Sequence, residues 1–188
     1  MEDKKGLIKA AAYEVFLQKG YKSTNIADIT NKAGVAVGSF YKYYKSKEEI
    51  FLEIYIDENE RMRGAMVQSI DWNGNPETII EKVFSYTFDN VMNNKILREW
   101  YGSSVAKTLS AYYNSRHGSE NSAFHQFMMQ TLTERMKQIG YSRETVGSIL
   151  KAMNLLSYID SQISEDQLND YQEGLKTLSR YFIKGILK

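Results

Sequence analysis

Residues 24–50 read TNIADITNKAGVAVGSFYKYYKSKEEI, and this stretch decides the fold. Thr24 stands as N-cap of a short helix, its hydroxyl suited to an orphaned backbone N–H. Ile26, Ile29 and Ala33 line the inner side of that helix, and Gly34 breaks it. A third short helix is predicted over roughly Ala36 to Tyr43. Ser46 and Glu49, in Ser-Lys-Glu-Glu, form a capping box that opens a long fourth helix. Its apolar face continues through Phe51, Ile54 and Tyr55 toward Ile70. Helix, tight turn, helix is a pairing that needs a small residue at the crossing. Gly34 supplies it, with Ala33 and Val35 packing on either side.

Outward from this stretch the pattern stays helical. A single proline, Pro76, in 188 residues leaves few places where a helix must break. Apolar residues recur at helical spacing and no period-two run appears, so the chain reads as all-α. The first helix is predicted from Lys4 to Lys19, with Leu7, Ala11 and Val15 on one face and Gly20 ending it. Asp-Trp-Asn-Gly-Asn at 71–75 marks the clearest boundary; Asn75 caps the next helix and Pro76 occupies its first position. Further helices are predicted over 77–91, 96–113, 122–138 and 142–162, with a polar loop at 114–121. Ser164 and Gln167 form a second capping box for the last helix. The expected organisation is a helix-turn-helix domain at 1–46, a connecting helix and loop at 47–74, and a larger helical domain at 75–188.

The second helix of the pair shows small and polar residues outward, as entry into a DNA major groove about 12 Å wide requires. Ala36, Val37, Gly38, Ser39 and Lys42 meet that requirement. Phe40 and Tyr44, four apart, face inward, while Tyr41 and Lys47 flank the outer surface with groups suited to phosphate oxygens. The segment closely resembles the DNA-binding domain of the TetR family of regulators. The resemblance rests on Thr24, Ala33-Gly34-Val35, Gly38-Ser39-Phe40-Tyr41, Tyr44 and Ser46-Lys47-Glu48, and covers about the first quarter of the chain. It implies that Thr24 and the helix start behind it touch a phosphate. It implies that Ala36, Val37, Ser39 and Lys42 face bases, and that Gly38 lets the backbone approach. Tyr41 and Lys47 would hold the phosphate backbone, and Phe40 and Tyr44 would be core. Thr30 where the family often has Ala, and Tyr44 where it often has Phe, are small departures.

Charge agrees in a modest way. Net charge is +1, divided into +3 over residues 1–50 and −2 over the rest. Without cysteine there is no disulfide, thiolate metal site or Cys nucleophile. Met1 is followed by Glu2-Asp3 with no apolar run, and no stretch approaches the ~18 apolar residues of a spanning helix, so a soluble, cytoplasmic protein without a membrane role is expected.

Residues 75–188 carry no catalytic motif, and neither cofactor nor metal is expected. His117 and His125 could approach each other across the loop and bind a metal with Glu120, but two scattered histidines do not make a site, and they read as a loop histidine and a partly exposed helical one. Two amphipathic stripes stand out: Val146, Leu150, Met153 and Leu156, then Leu168, Tyr171, Leu175, Leu178 and Phe182. Each fits an inter-helix seam, within the chain or between two copies. The family resemblance implies a four-helix homodimer interface there, which would place two recognition helices ~34 Å apart on a near-palindromic operator. Trp100, Tyr101, Tyr112, Tyr113, Phe124, Phe127 and Met128 crowd the middle helices. Such walls suit an apolar or flat cationic ligand, or simply a core. The resemblance implies a pocket for a small-molecule effector without saying which residues line it. The expected function is a ligand-released repressor. An activator of the same family, a helix-turn-helix adaptor for a protein partner, and a small helical enzyme remain as alternatives, the last weakened by the missing motifs.

Overall fold

The computed structural model describes residues 3–101, 104–115, 122–160, 163 and 168–187. Among them the chain is helical throughout: α1 Lys4–Lys19, α2 Ile26–Ala33, α3 Val37–Phe40, α4 Lys47–Ser69 and α5 Pro76–Met92. A 3₁₀ turn at Leu97–Trp100 follows, then α6 Ala106–Asn114, α7 Ala123–Ile139, α8 Arg143–Asp160 and α9 Leu168–Ile186. No helix among these residues is long and apolar enough to cross a membrane.

Local chemistry sets most boundaries. Gly20 and Gly34 take positive φ after α1 and α2, a conformation that costs a side-chain-bearing residue energy. Ser46 accepts the Glu49 N–H at the start of α4. Asn75 accepts the N–H groups of Glu77 and Thr78, with Pro76 first in α5 as expected. Ser122 and Ser142 cap α7 and α8 through the N–H groups of His125 and Thr145.

Three expectations need correction. The N-cap of α2 is Asn25, not Thr24: the Asn25 side chain accepts the Asp28 N–H at 2.8 Å and Asp28 returns the bond to the Asn25 N–H at 3.1 Å. Thr24 is buried instead, its hydroxyl donating to the Gly20 carbonyl at 2.7 Å. The helix predicted over 96–113 is broken into the 3₁₀ turn and α6. Asn94 accounts for the turn, its side-chain oxygen accepting the N–H groups of Ile96 and Leu97. The third predicted helix, Ala36 to Tyr43, keeps helical form only over Val37–Phe40 and ends in a turn. The second capping box, Ser164 and Gln167, lies outside the described residues.

One core runs from the N-terminal helices into the body. Ile8, Ala12, Phe16, Ile29, Phe40 and Tyr44 meet Ile50, Phe51, Ile54 and Tyr55 of α4, and the same cluster continues to Val91, Ile96, Leu97, Val105 and Leu109. Lys9 ties α1 to α4 from outside, bridging Glu53 at 2.7 Å and Asp57 at 2.6 Å. A smaller cluster joins Leu132, Met136, Val146 and Ile186 at the far end.

Tyr44 is the odd member of the main core. Its hydroxyl is buried with no hydrogen-bond partner of ordinary geometry. Burial, then the nearby Glu53 carboxylate, pushes the phenol far above its usual range. A buried hydroxyl left unsatisfied costs about 1 kcal/mol or more, so removing it sacrifices no hydrogen bond. Tyr44→Phe is therefore expected to leave stability unchanged or raise it by up to about 1 kcal/mol, read from chemical denaturation midpoints. A loss larger than that would mean the hydroxyl is bonded.

Candidate nucleic-acid interface and ligand cavity

The surface of α3 is built from beneath. Phe40 is fully buried, its ring 5.8 Å from Tyr44 and 5.5 Å from Tyr41. Ile29 of α2 lies in the same core, and the Gly34 turn, closed by the Val35 N–H on the Thr30 carbonyl at 3.0 Å, fixes how α2 and α3 cross. Thr30, fully buried, turns its hydroxyl onto the Ile26 and Ala27 carbonyls, so the departure from Ala leaves no polar group unpaired.

This packing exposes the positions expected to meet DNA. Ala36, Val37, Gly38, Tyr41 and Lys42 are exposed and Ser39 is half-buried. Val37 and Tyr41 are 46% and 56% exposed, on a helix packed on its other side. Nothing lies within 4 Å of where a Gly38 Cβ would stand, so no contact within the chain demands glycine there. Tyr43 is also exposed, and the start of α2 is capped by Asn25. Sequence reading passed over both, although Asn25 and Asp28, three apart, carry a capping-box signature.

Thr24 and Lys47, expected at phosphates, both make hydrogen bonds within the chain. Thr24 is committed to Gly20, as described. The Lys47 ammonium donates to the carbonyls of Tyr21 at 2.8 Å and Thr24 at 2.7 Å, and stands 4.1 Å from the centre of the Tyr21 ring. Burial lowers its pKa, with the Glu99 carboxylate opposing. Lys47 thus ties the first turn of α4 to the α1–α2 connection.

The body grips the same connection. Glu99 accepts the Tyr21 N–H at 3.0 Å, and Lys95 donates to the Gln18 carbonyl at 2.5 Å. Thr108 of α6 donates to the Glu48 carboxylate of α4. Below this, Glu58 is buried and receives Arg61 at 2.6 Å and the Asn94 amide at 2.5 Å, so α4 also holds the segment that leads into the 3₁₀ turn.

Two adjoining cavities open in the body. One, about 290 Å³, lies among α4, α5, α7, α8 and α9, with Trp72, Ile79, Ile80, Phe84, Met128, Met129 and Phe182 in its wall. The other, about 370 Å³, takes in Met66, Phe88, Val91, Trp100, Tyr101, Tyr113 and Leu175. Arg63, Val83, Phe84, Phe124, His125, Leu156 and Ser179 line both. Of the aromatic and Met set singled out in the sequence, Trp100, Tyr101, Tyr113, Phe124 and Met128 thus line cavities. Tyr112 packs edge-on to Tyr113 at 5.2 Å and Phe127 against Trp72 at 5.1 Å, and neither is in the wall of these two cavities. The Tyr113 hydroxyl accepts the Asn59 amide at 2.8 Å, and burial pushes its pKa up to about 12, so the phenol is neutral. His125 lies in the wall of both cavities, while His117 and Glu120 are outside the described residues.

The stripes on the last two helices divide between two faces. Val146 is buried in the far core cluster, with Leu150, Met153 and Phe182 against it, and Leu175 lines a cavity. Tyr171 and Leu178 are exposed. Beside them on α8 and α9 stand Leu155 at 63%, Tyr158, Ile159 and Tyr181 at 67% exposure. The Leu168 side chain is outside the described set.

Comparison with known proteins follows this geometry. Residues 8–54 match the family described as "Bacterial regulatory proteins, tetR family". The HTH-type transcriptional regulator YdgC of Bacillus subtilis is 38% identical over 84 residues, 44% of this chain and 43% of that protein. The fatty acid metabolism regulator protein of Bacillus subtilis is 27% identical over 179 residues, 94% of this chain and 76% of that protein. The alignments with YdgC, YuxN and YhgD of Bacillus subtilis span only 43%, 33% and 53% of those proteins. In overall fold the chain resembles FadR from Bacillus subtilis, solved in complex with stearoyl-CoA, with a TM-score of 0.54 and 20% identity over 98% of each chain. FadR from Bacillus halodurans gives 0.56 and 18%, over 100% of this chain and 96% of that one.

If Lys47 acts chiefly by tying α4 to the α1–α2 connection, Lys47→Met lowers the stability of the free protein. Two charged-donor hydrogen bonds disappear and the Thr24 carbonyl loses its donor, while the Tyr21 carbonyl keeps the Thr24 N–H, so a loss of roughly 1–3 kcal/mol is expected in denaturation. A phosphate-binding lysine would leave stability intact and would instead flatten the salt dependence of DNA binding by about one unit of slope.

Proposed function

We propose that this chain, whose N-terminal domain belongs to the tetR family of bacterial regulatory proteins, is a homodimeric, sequence-specific DNA-binding repressor released from its operator by a small molecule. The observation that carries the reading is the exposed face of α3. Val37, Gly38, Tyr41 and Lys42 stand outward on a turn of helix held from behind by Phe40, Ile29 and Tyr44. Few charged groups stand on it, so we assign readout to Val37 and Ala36 against thymine methyls, with Lys42 and Ser39 as polar contacts and DNA shape supplying the rest. Tyr41, joined by Tyr43, would meet the phosphate backbone.

The operating unit would be a dimer formed through α8 and α9. Leu155, Ile159, Tyr171, Leu178 and Tyr181 supply the exposed apolar surface that such an interface would cover. The organisation that follows is a DNA-binding head at 1–46, the α4 connection, and a ligand-binding and dimerising body. Effector binding in the cavities would act through two elements that touch both ends. α4 carries Met66 and Arg63 in the cavity walls and Lys47 against the head. The 3₁₀ turn carries Trp100 in a cavity wall and Glu99 against the Tyr21 N–H. A ligand that favours an arrangement with the heads displaced lowers DNA affinity by its differential affinity for that state.

Selection of bound sites from a random duplex pool at two salt concentrations tests the proposal. A near-palindrome with half-sites about 34 Å apart, bound more weakly at higher salt, is the expected outcome. A folded dimer that enriches no site would overturn it in favour of a protein partner for the head. On the selected site, Lys42→Ala is expected to weaken binding by about 1–3 kcal/mol if it reads a base, with altered preference at one position of each half-site. A uniform loss across sequences would move Lys42 to the phosphates.

A further inference from the structure

We infer that the two cavities form one site for an anionic amphiphile: an apolar body among the α5, α7 and α9 side chains and a carboxylate or phosphate on Arg63. This deepens the reading of the cavities as an effector site and rests on it.

Arg63 is in the wall of both cavities and so marks where they adjoin. A guanidinium has five N–H donors and remains charged at any physiological pH. The hydrogen bond it makes to protein is from Nε to the Asn59 side-chain oxygen at 3.2 Å. Its other contacts are ring faces, with the guanidinium 4.9 Å from the Phe124 centroid and 6.0 Å from that of Tyr113. Among the described residues no carboxylate pairs with it, whereas Arg61, two positions away, is paired with Glu58.

The wall around it has one sign of charge. Arg63 and Arg135 both line the first cavity, and no Asp or Glu appears among the described lining residues of either. Arg135 already donates to the Trp72 and Gly74 carbonyls at 2.9 and 3.2 Å and is held against the 71–75 loop, whereas Arg63 gives the described residues a single hydrogen bond and keeps more of its donors for a ligand. A cation held on aromatic faces beside apolar walls gains more from a desolvated anion than it does in water. The flat cationic ligand that the aromatic walls alone suggested would meet two guanidinium groups and no counter-charge, so the charge pattern selects against it. The rest of the wall, including Ile79, Ile80, Met129 and Phe182, offers little to a polar body. Each cavity alone stands near the lower limit of known ligand sites, about 300 Å³, and the joined pair lies well inside their range. An anionic group could come from a free fatty carboxylate or from the phosphates of an acyl thioester of coenzyme A.

Calorimetric titration of the purified full chain, without DNA, tests this with four probes of one chain length: dodecanoate, dodecanoyl-CoA, dodecanol and dodecylamine. Dodecanoate or dodecanoyl-CoA is expected to bind about tenfold or more tightly than dodecanol, and dodecylamine weakest, as a charge-assisted bond to Arg63 predicts. Whichever anion binds tighter identifies the source of the head group. Arg63→Gln is expected to remove the preference for the anion while leaving dodecanol affinity unchanged, and Arg63→Lys to restore part of it. Circular dichroism of the variants confirms that they are folded. Equal affinity for acid and alcohol, an equal loss of both in Arg63→Gln, or binding of none of the probes would overturn the inference. Because DNA is absent, a failure of operator binding leaves this result readable on its own.

Discussion

One helix has to satisfy two cores. α4 gives Ile50, Phe51 and Ile54 to the packing of the N-terminal helices and Met62 and Met66 to the body, and its 23 residues span about 35 Å at the rise of an α-helix. No loop intervenes to absorb a mismatch between the two ends. A packed interior is close to crystalline density, so a shift of the helix at one end cannot be dissipated within it and must be accommodated at the other. The remaining contacts between head and body reinforce this coupling. The Lys47 ammonium fastens α4 to the head, while Glu99 and Lys95 fasten the segment after α5 to the same turn.

The aromatic residues give that connection its material. Phe16 and Tyr21 lie 4.9 and 4.8 Å from Phe51, Phe51 lies 6.3 Å from Tyr55, and Tyr55 meets Trp100 and Tyr113 at 6.4 and 6.2 Å. These rings form a continuous row from beneath the α1–α2 turn to the wall of the larger cavity. Rings in edge-to-face and stacked contact resist small displacements more than aliphatic packing of the same area, because their geometry contributes beyond burial. The body's far cluster around Leu132 and Met136 is separate from this row and anchors α7, α8 and α9 to one another.

What could be read from the sequence was whatever is settled within a few residues of chain. The limits of α1, the Asn75-Pro76 start of α5 and the Ser46 cap follow from local hydrogen bonding, and the structure places them as read. The small residues of α3 and the inward Phe40 and Tyr44 were legible for the same reason, since four-residue spacing fixes a face. Thr24 misled because two adjacent residues both qualify as caps; the choice fell to Asn25 once the Thr24 hydroxyl found the Gly20 carbonyl. The start of the 3₁₀ turn depends on Asn94, which accepts the Ile96 and Leu97 N–H groups and whose own amide donates to Glu58, thirty-six residues earlier. Val146 and Tyr171 looked alike as stripe residues, yet one is buried and the other exposed. An amphipathic face announces that it will be covered, not by which helix. Arg63 was invisible for the same reason, because its neighbours Phe124 and Tyr113 arrive from distant helices.

The chain has two tryptophans, and the fold has put one in the wall of each cavity, Trp72 in the smaller and Trp100 in the larger. Their surroundings differ. Trp72 donates its indole N–H to the Val67 carbonyl at 2.8 Å and meets Phe127 edge-on, whereas Trp100 lies nearly parallel to Tyr55 in the row of rings. The protein therefore contains two built-in optical probes with separate environments, one at the far end of the apolar space and one beside the clasp on the head. Emission from each reports a different event, the first the filling of the space and the second the strain on the clasp, so occupancy and transmission become separable signals within one unlabelled molecule.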